Sequence, residues 1–342
     1  MAPGQDGNLL AAVRGYASDA TGCGEDLISA VRRFDGGNRH SVHKVSFSRH
    51  DGPDAVVVRV SYSAAAADRA QAEHEAKVLA MAGGRAAPLL YDFRPTSPWF
   101  DAPAMCMQFV SGREMDLSAA TPEDLEKLGS VVAWVHDRPT TELVDGPSTP
   151  AHIVSYAHDR LRSIMATTDW IRDPLPAPIQ ADLRRAAESV QLRLQAQLDT
   201  SSFSTGEALA LLHGDIGPGN VLWGPEPVLI DWEYARLGDP ADEIAYTFDQ
   251  NGLTIAQREA FWRGYHDGAS GDRRLADIVD RVSWWEPLTL LGSTLWWVQR
   301  WVRRSDADGA GTIDPEVPRE LDYYLDHVLR RLNRLSNLVQ QT

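Results

Sequence analysis

Residues 211–233 read Leu-Leu-His-Gly-Asp-Ile-Gly-Pro-Gly-Asn-Val-Leu-Trp-Gly-Pro-Glu-Pro-Val-Leu-Ile-Asp-Trp-Glu, and three oxygen-bearing side chains in this stretch, Asp215, Asn220 and Asp231, are spaced to do chemistry together. Val221-Leu222-Trp223 and Val228-Leu229-Ile230 read as short apolar strands, with a turn at Gly224-Pro225-Glu226-Pro227 between them. A hairpin of this kind brings its flanking residues, Asn220 and Asp231, close together. Asp215 precedes Asn220 by five positions, on a loop tightened by Gly217, Pro218 and Gly219. Phosphoryl transfer to a hydroxyl asks for such a set. The hydroxyl needs an oriented carboxylate to take its proton, and the phosphates need a hard cation such as magnesium, which prefers oxygen ligands. Asp215 fits the first role, and Asn220 and Asp231 fit the second. Asp and Asn also favour turns on their own account, but the joint spacing argues for more than three turn residues. A metal-hydrolase reading of His213 and Asp215 lacks a second histidine cluster.

Several elements must position these residues. Residues 1–35 read as short helices leading into a turn at Gly36-Gly37-Asn38. Strands follow over Val42–Phe47 and Ala55–Val60, joined at Asp51-Gly52-Pro53. Residues 66–82 read as a helix stopped by Gly83-Gly84, and Ala104–Val110 as a strand ending at Ser111-Gly112. This order suits a small lobe with an antiparallel sheet and one helix. The remainder is mostly helical. Thr121-Pro122-Glu123-Asp124 marks a capped helix start, and Leu183–Leu198 and Leu321–Leu335 carry helical apolar stripes.

The bulk numbers narrow the function classes. The chain has 342 residues and 48 acidic against 33 basic ones, a net charge of −15. That balance disfavours nucleic acid and anionic membrane surfaces as partners, and suits a cationic substrate or simple solubility. Cys23 and Cys106 show no metal or redox spacing, which fits free thiols in a reducing cytoplasm. The first residues show no basic segment followed by an apolar run, so no secretory signal is expected. The apolar stretch Trp284–Val302 contains Glu286, Pro287, Gln299 and Arg300 and reads as a buried helix.

His213-Gly-Asp215, Asn220 and Ile230-Asp231-Trp232 together resemble the catalytic and metal-binding motifs of the aminoglycoside phosphotransferases, relatives of choline kinases and, more distantly, of protein kinases. The block Gly238-Asp239-Pro240-Ala-Asp242-Glu-Ile-Ala245 resembles the family's Gly-Asp-Pro-x-x-Asp-Leu-Ala, whose aspartates brace the catalytic loop. The resemblance runs from about residue 30 to 268 and is strongest over 211–245. It implies an α+β, bilobal, protein-kinase-like fold. Residues 1–110 would form a nucleotide-binding lobe with a hinge at about 107–112, and residues 111–342 a helical lobe holding the catalytic loop and acceptor site.

The resemblance also implies ATP and Mg2+ as cofactors and a set of site residues. Asp215 would be the catalytic base, and Asn220 and Asp231 the metal ligands. His213 would pack beneath the loop. The phosphates would meet Ser41 and Asn38 on a loop over Asp35–His43, and Arg59 on the next strand where most kinases carry lysine. Glu75, with Glu73 as the fallback, would orient Arg59. Met107 would back the adenine pocket, and the backbone of Gln108 and Val110 would bond the adenine edge. The family acts on small hydroxylated acceptors. The acidic balance favours a cationic one, such as an aminoglycoside, basic peptide antibiotic, aminosugar or amino alcohol, with Asp249, Glu286 and nearby tryptophans as candidate contacts. Neutral acceptors such as a macrolide or nucleoside form the alternative. A pseudokinase would lack one of the three key residues. A protein kinase would need an Ala-Pro-Glu element and an activation segment, yet Gly238 follows Asp231 by only seven positions.

Overall fold

Alternating side chains build the first sheet. The computed structural model describes residues 3–34, 39–48, 51–140, 152–199, 209–269, 275–311, 317 and 319–340. A helix, α1 (Pro3–Thr21), is followed by strands β1 (Ile28–Arg33), β2 (His40–Phe47) and β3 (Ala55–Ser61). Helix α2 (Ala66–Ala82) and strands β4 (Leu90–Arg94) and β5 (Ala104–Gln108) complete the set. The sheet is antiparallel, in the order β1-β2-β3-β5-β4. In β2 and β3 burial alternates residue by residue, the signature of a sheet with two unlike faces. One face, carrying Val45, Phe47, Val56, Val58, Val60, Ala104 and Cys106, packs with Val13, Tyr16 and Ala17 of α1. The other face carries Val42, Val57, Arg59, Met105 and Met107, which are cross-strand neighbours or lie two residues apart.

Two expectations for this region are corrected. Residues 1–35 do not form only short helices: a 19-residue helix is followed by strand β1. Strand β4 was not foreseen at all. Both are edge strands of the sheet. β1 buries only Ile28 and ends in Arg32-Arg33, so it shows little alternation for a reader to find. The helix over 66–82 is as expected. Its stop is divided between two glycines: Gly84 takes the left-handed backbone (φ 88°), while a Cβ on Gly83 would lie 2.7 Å from the Leu79 carbonyl oxygen.

The chain divides into two compact units, each discontinuous in sequence. The first comprises residues 1–138, 213–235 and 259–269. Besides the sheet and α2 it contains β6 (Arg113–Glu114), α3 (Pro122–His136) and residues 213–235. Thr121 caps α3: its hydroxyl accepts from Asp124 N–H, and the Asp124 carboxylate accepts in return from Thr121 N–H.

The second unit comprises residues 139–212, 236–258 and 270–342. It contains α4 (Ile153–Ala166), α5 (Ala177–Asp199) and β7 (Ala210–Leu212). The hairpin strands β8 (Val221–Trp223) and β9 (Val228–Leu229) that come next in the chain belong to the first unit. Then follow β10 (Arg236–Gly238), antiparallel to β7, and α6 (Pro240–Gln250). Helix α7 (Ile255–Gly268) runs on into the first unit, and α8 (Leu275–Gly309) and α9 (Leu321–Gln340) close the chain. The architecture is the expected α+β one, an antiparallel sheet near the N-terminus and a mainly helical remainder. Among the described residues no helix is long and apolar enough to cross a membrane.

Candidate active site

The three oxygen-bearing residues are brought together inside the first unit. β8 and β9 pair antiparallel, Val221 opposite Leu229 and Leu222 opposite Val228. The ladder continues one step further, with Ile230 N–H donating to the Asn220 carbonyl at 2.9 Å, which places Asp231 beside Asn220. The Asn220 side-chain amide donates to the Asp215 carbonyl at 3.0 Å and to Asp215 Oδ2 at 2.9 Å. Asn220 thus orients the Asp215 carboxylate with its NH2 group, while its carboxamide oxygen is the atom suited to a cation.

His213 is fully buried. Its Nδ1 accepts from the Asp215 backbone N–H at 3.2 Å, so its Nε2 carries the proton and donates to the Ile230 carbonyl at 2.9 Å. The ring also meets Trp232 edge-on, with centroids 4.5 Å apart. Both nitrogens hold backbone, tying the start of the Asp215 loop to the end of the hairpin. His213 has no lone pair left to act as a base.

Asp231 is the one non-glycine residue at positive φ among the described residues (φ 64°, ψ 67°). For an aspartate this costs about 1 kcal/mol or more. Trp232, fully buried and donating from Nε1 to the Leu229 carbonyl at 2.9 Å, anchors the turn against that cost. The Asp231 carboxylate is about half-exposed. Its pKa is nonetheless pushed up to about 6, first by desolvation and then by Glu233, against the opposing pull of Arg59. The half-exposed Asp231 carboxylate and the Asn220 carboxamide oxygen beside it are hard oxygen donors of the kind magnesium takes. Arg59 approaches to 3.9 Å, Nη1 to Asp231 Oδ1.

Arg59 stands on β3 with Val42 and Met105 as its cross-strand neighbours. It forms a buried ion pair with Glu75 of α2 and touches Met105 Sδ at 3.3 Å. Burial alone would lower its pKa, but Glu75, with Asp231 and Glu233 behind it, raises it, so the charge is secure. The fallback Glu73 instead pairs with Lys77 on an exposed helix face. Met107 lies on the Arg59 face, in a row with Val57 and Lys44. Strand parity from Arg59 would have picked out Val57 and Val42 as further walls of this face. The Gln108 N–H is already engaged, donating to the Leu89 carbonyl at 2.8 Å. Val110 lines a cavity with Leu222 of β8. Gly112 is required there, since a Cβ would lie 2.8 Å from Leu222 Cβ.

Ser41 needs correction. It is not on a loop but within β2, 3% exposed, its hydroxyl 2.7 Å from His43 Nε2. It stands opposite Val60, whereas Val42 stands opposite Arg59, so strand alternation turns Ser41 to the α1 face, away from Arg59. Asn38 lies outside the described residues.

The acids of the second unit behave differently. Asp242 accepts from Tyr156 Oη and from Arg160 Nε and Arg236 Nη2, both at 3.1 Å. Asp239 caps α6 by accepting from Ala241 N–H, and also takes Arg281 at 2.8 and 3.1 Å and Trp285 Nε1 at 2.8 Å. Asp249 pairs with Arg334 at 2.7 Å, and Glu286 pairs with Arg258. Asp249 and Glu286, the candidate acceptor contacts, thus each carry an arginine partner. Trp285 and Trp301 are buried, and Trp297 stacks face-on against His327 at 3.8 Å.

Residues 30–278 match the model of the phosphotransferase enzyme family (APH). The chain belongs to that family. This phosphotransferase has no match among curated proteins. Solved structures share its fold at low identity. A choline kinase from Cryptosporidium parvum Iowa II is 12% identical with a TM-score of 0.66, covering 96% of each chain. A putative aminoglycoside phosphotransferase from Ralstonia eutropha JMP134 is 15% identical with a TM-score of 0.62, covering 97% of this chain and 98% of its own. A spectinomycin phosphotransferase in complex with ADP and spectinomycin is 14% identical with a TM-score of 0.59, covering 92% of this chain and 94% of its own.

Proposed function

We propose that this phosphotransferase moves the γ-phosphate of ATP to a hydroxyl of a small molecule, with magnesium. The observation that carries the reading is the Asp215–Asn220–Asp231 assembly, in which Asn220 bonds Asp215 and the hairpin sets Asp231 beside it. In this reading residues 1–110 form the nucleotide lobe, hinged at about 107–112, and the remainder the acceptor lobe. Met107, Gln108 and Val110 hold the base, and Arg59, oriented by Glu75, binds phosphate. Asn220 and Asp231 hold the metal ion, which when bound neutralises charge on the phosphates. Asp215 accepts the hydroxyl proton through the carboxylate that Asn220 orients. The ADP in the spectinomycin phosphotransferase complex supports an adenine nucleotide.

The acceptor in this reading is small and cationic. Choline and spectinomycin, named for two structural neighbours, each carry a hydroxyl and a positive nitrogen. The chain's net charge of −15 would steer such a cation over distance, even though Asp239, Asp242, Asp249 and Glu286 each have an arginine partner. Buried free thiols at Cys23 and Cys106 suit a cytoplasmic enzyme. The test is ATP labelled at the γ-phosphate, incubated with choline, aminoglycosides, spectinomycin and uncharged nucleosides, with and without magnesium. Magnesium-dependent label transfer to a cationic acceptor, falling with salt, is expected. Transfer to a nucleoside alone would overturn the acceptor class, and no transfer to any acceptor would count against the kinase reading.

A further inference from the structure

The segment entering β2 is basic within an acidic chain: Arg32, Arg33, Arg39 and Lys44 stand there. Arg39 has a defined setting. Its carbonyl accepts from Tyr62 N–H at 2.9 Å, which fixes its backbone at the end of β3. The next residue, His40, pairs with Ser61, two positions beyond Arg59 on the same strand face. Arg39 and His40 line a cavity together with Ser61, Gln71, Glu75 and Glu233. Across it the Arg39 guanidinium reaches Glu233 Oε2 at 3.3 Å. Glu233 lies two residues after Asp231, is largely buried, and is held from α2 by the Gln71 amide at 3.5 Å. Arg39 itself is 60% exposed.

On the nucleotide-binding reading above, we propose that Arg39 is a further phosphate-contacting residue, held in the empty enzyme by Glu233. The energetics favour an exchange. The pair makes a single contact at 3.3 Å from an arginine that is itself 60% exposed, whereas a triphosphate carries several charges and accepts a guanidinium in bidentate fashion. The cavity gives the side chain space to leave Glu233 without breaking a packed core. Glu233 is then a positioning residue: it holds the Arg39 guanidinium at the cavity that Glu75, the partner of Arg59, also lines.

The experiment measures binding of Mg·ATP and of adenosine to the full chain by calorimetry. The variants are Arg39→Ala, Arg39→Lys, Glu233→Gln and the double variant Arg39→Ala/Glu233→Gln. Arg39→Ala should weaken Mg·ATP about tenfold or more, as loss of one charge-assisted bond does, and leave adenosine unchanged. Arg39→Lys should recover part of the loss. The loss should persist when Arg39→Ala is made in the Glu233→Gln background, because the contact is to phosphate. Unchanged Mg·ATP binding in Arg39→Ala would overturn the proposal, as would a loss that vanishes without Glu233 or extends equally to adenosine. If the wild-type chain binds neither Mg·ATP nor adenosine, the nucleotide reading itself fails, a different result from an Arg39 variant that binds normally.

Discussion

Two carboxylate-rich regions of this chain differ in how their charge is used. In the second unit, Asp239 and Asp242 are at most 1% exposed and each is bonded to at least one arginine. In the first, Asp231 is half-exposed, sits on a strained backbone and has its nearest cation 3.9 Å away. Burial alone would raise the pKa of Asp242, but Arg160 and Arg236 hold it below the ordinary carboxylate value. Asp231 moves the other way, to about 6. The difference separates a carboxylate used to hold the fold from one that, on the proposed reading, takes a cation. Residue type and motif membership alone would not separate them, since both regions carry family motifs.

Substitutions can break or sharpen this contrast. The largest stability effect is expected at Asp242. Asp242→Asn leaves Arg160 and Arg236 without their counter-charge, and breaking a buried pair from one side costs about 3 kcal/mol or more. Chemical denaturation of the variant should show that loss. A cost under about 1 kcal/mol would mean the network is not holding the unit together.

Glu286 tests the middle of the range. Its partner Arg258 also bonds the Leu253 carbonyl at 3.1 Å and lies over the Phe248 ring, so Glu286→Gln does not orphan the arginine. A loss of about 1 kcal/mol is expected, with the acceptor KM within threefold of wild type. A rise in that KM of more than tenfold, with stability kept, would return Glu286 to the acceptor site and break the contrast.

A third effect, no larger than that of Glu286, has the opposite sign. With a folded pKa of about 6 against an ordinary value of 3.8, Asp231 binds protons more readily folded than unfolded. Its ionisation therefore destabilises the free enzyme, fully above pH 6, and the penalty disappears as pH falls below about 4. Asp231→Asn removes it, and asparagine tolerates the left-handed backbone. After discounting for the exposed side chain, the variant should be about 1 kcal/mol more stable at pH 8 without metal or nucleotide. The gain should shrink toward pH 4 in thermal unfolding across a pH series.

Much of the site was legible because its local rules agree. The Gly-Pro turn, the flanking apolar triplets and the Asp215–Asn220 spacing describe one hairpin, and the structure builds it at Val221–Trp223 and Val228–Leu229. Arg59 and Glu75 were legible as a strand cation and a helix acid. Ser41 was misplaced because a serine near Gly36-Gly37 looks like loop, while two-residue alternation with Val45 puts it inside the sheet, facing α1. β1 and β4 were missed because edge strands need charge more than apolar alternation. The arginine partners of Asp249 and Glu286 could not be foreseen, since Arg334 and Arg258 are separated from them by 85 and 28 positions.

Asp215 bears the central claim most directly. It should be replaced by asparagine, and both turnover on the identified acceptor and Mg·ATP affinity measured, with chemical denaturation as the control for folding. The Asp215→Asn variant should lose turnover by about a hundredfold to ten-thousandfold, bind Mg·ATP within about threefold of wild type, and unfold at the wild-type denaturant concentration. Near-normal turnover in a folded Asp215→Asn variant would contradict the account, because the one carboxylate that Asn220 orients would then have no part in the transfer.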